Sequence, residues 1–245
     1  MKISLAVSVA LLGISSAAYA QSSMSTNAAP PAPPPAMAMQ PPRAAADMQA
    51  VLDAQAALGA LPIKTLTPVK ARLHPSAAGA THAVMHARGI STAPDPAVTT
   101  QELPYGADPM QFARIYKPTG AGAAPLPVIV YYHGGGWVIA DINTYDATPR
   151  LLSKQLGALV VSVEYRPAPE AKLPAQHEDA AAAYRWVLQN AQGWGGDPAR
   201  VALAGESAGG NLAVATAICA RDNGLTKPVH VLSVYRIANS AMGLP

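Results

Sequence analysis

With 245 residues, half of them hydrophobic and only 13% charged, the chain is long enough for one sizeable core. Its 17 lysines and arginines stand against 14 acids, a net of +3 with no run of like charge, which excludes a nucleic-acid surface and favours small-molecule chemistry. The single cysteine, Cys219, excludes an internal disulfide.

At the amino end Lys2 precedes an apolar run from Ile3 to Ile14, and small residues then lead to Ala18-Tyr19-Ala20 before Gln21. This pattern predicts a secretory signal over residues 1–20, cleaved after Ala20, with the rest exported to the periplasm or secreted. The apolar run is short for a bilayer and no later stretch is longer, so no stable membrane anchor is expected. Removing Lys2 makes the small positive excess smaller still. Residues 21–45 are rich in Ala and Pro, including Pro33-Pro34-Pro35, and read as an extended spacer without a core of its own.

From Met48 the pattern turns helical, with Met48, Val51, Ala54, Leu58 and Leu61 on one side until Pro62 ends it. Two short strands follow, about 98–103 and 111–116, separated by Pro104, Gly106 and Pro109 and predicted to pair antiparallel. Thereafter strands at 128–132, 158–163, 201–206 and 229–235 alternate with helices near 146–156, closed by Gly157, near 177–190 and near 208–221. Such alternation predicts an α/β fold, a mostly parallel sheet with helices on both faces and ligands at the carboxyl ends of the strands. Leu212, Ala215 and Cys219 recur at helical spacing, which assigns Cys219 to core packing.

Two glycine motifs fall at those strand ends. The run Val201-Ala202-Leu203-Ala204 enters Gly205-Glu206-Ser207-Ala208-Gly209 and then a helix-prone stretch. A sharp strand-to-helix corner needs small residues two before and two after the serine, and it would expose Ser207 as a nucleophile above the first N–H groups of a helix. The run Val128-Ile129-Val130-Tyr131-Tyr132 enters His133-Gly134-Gly135-Gly136-Trp137. Acyl transfer needs N–H donors for a tetrahedral oxyanion. Glycines at 134 and 135 let the backbone approach that oxygen, with the Ala208 N–H as a third donor.

Together these motifs make the chain resemble the hormone-sensitive-lipase-like esterases, bacterial family IV of the α/β-hydrolase fold. The resemblance runs from about Met48 to Tyr235. It implies an oxyanion loop at His133-Gly134-Gly135-Gly136, a nucleophile at Ser207, a small ester as substrate, and no metal or organic cofactor. It also implies a partial hydrolase domain over 46–245 in which residues 46–95 are either part of a cap over the site or a plain amphipathic surface helix. Tyr165-Arg166-Pro167-Ala168-Pro169-Glu170 resembles a family loop, with Pro167 a departure, and an Arg166–Glu170 pair beneath the site is expected there. His177-Glu178-Asp179 opens a helix, its acids reading as ordinary partners of the helix dipole. Asp197-Pro198-Ala199-Arg200 reads as a turn.

Serine hydrolysis also needs a base, and the family places an acid and then a histidine after the serine. After Ser207 the sole acid is Asp222 and the sole histidine His230. The helix at 208–221 carries Asp222 about 20 Å from the corner, and His230 opens the next parallel strand at that far end, so neither should reach Ser207. The residues after Tyr235 do not resemble the family's continuation. The expectation is an esterase truncated or frame-shifted at its carboxyl end, its catalytic acid and histidine absent and its oligomeric state open. The alternative function is a catalytically impaired fragment that at most binds acyl ligands.

Overall fold

The computed structural model describes residues 44–238. The predicted signal over 1–20, its cleavage after Ala20, the spacer up to residue 43 and the final residues 239–245 lie outside the described residues.

Six strands form one sheet in the order β1-β2-β4-β3-β5-β6, with β1 at Val98–Pro104, β2 at Phe112–Pro118, β3 at Leu126–Tyr132, β4 at Leu159–Val163, β5 at Gly196–Glu206 and β6 at His230–Val234. β1 pairs antiparallel with β2, and β2 with β4. The β3–β4, β3–β5 and β5–β6 pairs are parallel. Apolar residues from both faces of the central strands are buried, as in sheets covered on both sides. Val128, Val130 and Tyr132 of β3 pack with Leu203, Ala183, Val187 and Leu212 in one layer. Tyr131 packs with Tyr116, Val160 and Ala204 in the other, against Leu152.

The helices supplying these layers are α4 at Ala147–Leu156, α5 at Ala175–Asn190 and α6 at Ala208–Asp222. Gly157 closes α4 in the left-handed conformation, φ 58°. Each large side chain buried in the layers, such as Leu203 or Leu212, contributes about 1.5–3 kcal/mol. The excursion at 197–200 is a turn inside β5. Gly196 pairs with Leu126 and Val201 with Val128, so four residues of β5 stand outside the ladder, tied by Asp197 to Ala199 N and Arg200.

Before the sheet come α1 at Ala46–Ala57, a 3₁₀ turn at Ile63–Thr65, α2 at Pro68–Arg72 and α3 at Ala77–Ala87. α1 ends at Ala57, five residues before Pro62, because Gly59 turns the chain at φ 80°. Its apolar side is not buried: Met48, Leu58 and Leu61 are about half exposed. α2, at five residues, is too short to show a period, and α3 is rich in small residues and buries only Ala80, but side-chain caps at Thr67 and Ser76 mark their starts.

Cys219 is only half-buried. The inward side of α6 is Leu212, Ala213, Thr216 and Ala220, so the packed stripe is rotated by one residue from the one expected. At the other end of the sheet, β6 alternates exposed and half-buried, leaving Leu232 and Val234 largely open.

Candidate active site

β3 and β5 are adjacent and parallel, with Tyr132 opposite Gly205. The segments that follow them therefore leave the sheet side by side. Ser207 sits at the corner between β5 and α6 with φ 54° and ψ −119°, a conformation that L residues rarely adopt. The corner is pinned from β6: Ser207 N donates to Val234 O at 2.9 Å. Its tightness explains the flanking glycines. A β-carbon on Gly209 would collide with the Tyr132 carbonyl, and one on Gly205 with the backbone of Gly209.

Gly134 passes directly over this corner. A β-carbon there would lie 3.5 Å from Ser207 Cβ and 2.7 Å from the Tyr145 hydroxyl. Gly135, at φ 109°, accepts from Val138 N and Ile139 N at 3.1 and 2.9 Å, closing the loop into a compact turn. Gly136, at φ 61°, is exposed at the tip. Ala208 is the first residue of α6, so its N–H has no carbonyl partner within the helix.

His133 is buried and does not face the cleft. Its ring stacks on Tyr165 at 4.4 Å between centroids. Nδ1 is 2.8 Å from Gly134 O, and since a carbonyl only accepts, that nitrogen carries the proton. Nε2 lies 3.5 Å from a carboxylate oxygen of buried Glu164, too far for a good hydrogen bond. Glu164 also accepts from Ile142 N at 3.0 Å, and the Tyr165 hydroxyl donates to His133 O at 2.9 Å. Glu164 and Tyr165 thus brace the loop from behind.

Below Ser207, Glu206 accepts from Tyr131 and Tyr235, each at 3.0 Å. Burial, with the Glu206 charge second, pushes the Tyr145 hydroxyl up to about 12. Tyr145 is therefore a neutral donor at ordinary pH.

Ser207 opens onto a cleft of about 470 Å³. Val138 and Ile139 line it from the glycine loop, and Ile63, Leu66 and Pro68 from the segment before the sheet. A larger cavity of about 690 Å³ shares Ile63, Gly135 and Ile139 with it and reaches Asp141 and Glu164. Residues 63–71 thus form one wall of the cleft. Among the described residues no three His, Cys, Asp or Glu side chains converge as a metal site requires.

The expected Arg166–Glu170 pair does not form. Arg166 pairs with Asp179 at 2.6 Å, and Glu170 with Arg72 at 2.6 Å. Asp179 is no solvated dipole partner: it is buried, and accepts from Arg166 N and Gln111 Nε2 as well. Asp179, one turn into α5, points inward under the 165–170 loop, while Glu170 lies on the outer side of that loop facing α2.

Among the described residues Ser207 Oγ makes no hydrogen bond. His230 pairs with Ala202, four residues before Glu206, which puts it about 13 Å below the corner. Asp222 ends α6 and pairs with Arg221. His177 Nε2 is 2.9 Å from Asn211 Oδ1, and His74 Nε2 accepts from Leu61 N. The sequence motifs pointed to the serine corner and the glycine loop but not to Tyr145, Glu164 or Arg72, which carry no local pattern.

Residues 129–241 match the family described as alpha/beta hydrolase fold. Over 120 residues the chain is 48% identical to the carboxylesterase NlhH of Mycobacterium tuberculosis, covering 49% of this chain and 38% of that protein. Among solved structures it is similar to a hyperthermophilic esterase of the archaeon Pyrobaculum calidifontis, with 42% identity, TM-score 0.56, and coverage of 62% of this chain and 49% of that one. An ester hydrolase from the metagenome of Lake Arreo superposes with TM-score 0.62 at 34% identity, covering 80% of this chain and 60% of that one. The matched part of the chain thus spans between 38% and 60% of the length of these relatives.

Proposed function

From the match of residues 129–241 to the alpha/beta hydrolase fold and the likeness to esterases, we propose that the site is the acyl-transfer centre of a carboxylic ester hydrolase acting on small esters, with Ser207 as nucleophile. The observation that carries this reading is the strained Ser207 corner beneath the Gly134 backbone. In the reaction Ser207 Oγ bonds to the ester carbonyl carbon as its proton leaves, and the carbonyl oxygen becomes an oxyanion. On this reading the backbone N–H groups of Gly134, Gly135 and Ala208 are the donors to that charge, and preorganised donors of this kind typically contribute about 2.7–4 kcal/mol each. Collapse breaks the bond to the alcohol, and water then releases the acid from the acyl-serine. Relatives named as carboxylesterase and esterase support this chemistry.

A second reading is favoured by one observation, the lack of any described hydrogen-bond acceptor on Ser207 Oγ. Without a base the serine stays a neutral alcohol, and the site binds acyl groups with little turnover. A fluorophosphonate probe tests the first reading. Ser207 Oγ bonds to phosphorus, fluoride leaves with the P–F electron pair, and the serine proton is released. Adduct mapped to Ser207 and absent in Ser207→Ala supports the nucleophile assignment; adduct at another residue overturns it. Hydrolysis of p-nitrophenyl butyrate then separates turnover from binding.

A further inference from the structure

Residues 44–90 make the outer wall of the cleft, yet α1 and α2 bury no residue and α3 buries only Ala80. Packing alone holds this wall weakly. Among the described residues, every hydrogen bond that joins 44–90 to the rest of the fold comes from one side chain, Arg72. Its Nε donates to Val138 O at 2.7 Å, one terminal nitrogen to Ala168 O at 2.8 Å, and both terminal nitrogens to Glu170 at 2.9 and 2.6 Å. Val138 ends the glycine turn, where its N–H donates to Gly135 O, and Ala168 N donates in turn to Trp137 O at 2.7 Å. A planar guanidinium fixes the directions of all these acceptors at once, which a flexible point charge cannot do.

We propose that Arg72 is a positioning residue that couples the α2 wall of the cleft to the glycine loop over Ser207, so that opening the wall and loosening the loop are one event. The inference rests on the proposed function only in giving the loop a role in acyl transfer; the coupling itself is a property of the fold. Its consequence is that a ligand wedging α2 away from the core also disorders the backbone donors at 134–136. A ligand seated under Ile63 and Leu66 without displacing Arg72 keeps them in place.

Hydrogen–deuterium exchange on the full chain reads the coupling directly. In Arg72→Gln, amides of 63–72 and of 135–139 should both exchange about tenfold faster or more, as expected from losing charge-assisted hydrogen bonds. Glu170→Gln, which keeps the bonds to Val138 and Ala168, should raise both segments by a smaller factor, and it serves if Arg72→Gln does not fold. Faster exchange confined to α2, or no change in either segment, overturns the proposal. Fluorophosphonate labelling adds a split that a merely structural role would not give: Arg72→Gln should weaken the probe's binding constant through the wall and also slow its maximal rate through the loop. If wild-type Ser207 takes no label, the catalytic reading fails while the exchange result still decides the coupling.

Discussion

The carbonyl of Tyr132 occupies the space that a β-carbon on Gly209 would need. This contact joins the last residue of β3 to the first turn of α6, and the obstacle is backbone on both sides, so no rotamer change relieves it. Gly209→Ala should therefore destabilise the fold by about 3 kcal/mol or more, while Gly136→Ala, at an open tip, costs only its positive φ. Urea denaturation of both variants checks the contrast.

Ser207 holds a positive φ that glycine adopts freely. Ser207→Gly should raise stability by about 1 kcal/mol while abolishing fluorophosphonate labelling, the signature of strain kept for reactivity. An unchanged or lower melting temperature would contradict the strain argument.

Arg72 holds the Glu170 carboxyl down at about 2, against an ordinary 4.5, chiefly by its hydrogen bond. A carboxyl depressed on folding stabilises the folded state fully above its unfolded value, and this is lost as pH falls through 4.5 towards 2. The difference in melting temperature between wild type and Glu170→Gln should be flat above about pH 5 and close as pH approaches 2. A difference that persists unchanged through that window would show that the pair does not carry it.

β6 places His230 beside Ala202 rather than beside the serine corner. His230→Ala and Asp222→Ala should thus leave any ester hydrolysis unaltered. Turnover of about 1 to 10³ s⁻¹ that vanishes in His230→Ala would sink this expectation.

Val229, Leu232, Val234 and Tyr235 are between 40% and 69% exposed along the last strand of the described sheet. Exposed apolar strand edges pair with other chains. Replacing Leu232 and Val234 together with threonine should reduce self-association in light scattering without moving the unfolding midpoint by more than about 1 kcal/mol.

The parts legible in the sequence are those set by neighbours along the chain. Val128 to Tyr132 and Val201 to Ala204 announce buried strands by composition, and Gly205 and Gly209 announce a corner by spacing. The missed parts join segments far apart. Arg72 reaches Glu170 and Val138 across long intervals, and Asp179 turns inward to Arg166 although Glu170 stands nearer in sequence. Nothing local distinguishes Glu164, which accepts from Ile142 N behind the glycine loop, from any other acid at a strand end. The rotation of the α6 stripe away from Cys219 is a different kind of miss: small residues at 213, 215, 217 and 220 fit either side of a helix, so spacing alone did not choose the face.

The pairing of Tyr132 with Gly205 also sets the order in which the molecule can assemble. More than seventy residues separate these partners, so a long loop closes before the site exists, an entropic toll that slows folding relative to the local β1–β2 hairpin. The hairpin and α4 can form early, whereas the serine corner acquires its strained geometry only when β3, β5 and α6 meet. Nascent chains should therefore pass through a state with native-like secondary structure and no reactive serine, so that probe reactivity reports the final step of folding rather than its onset.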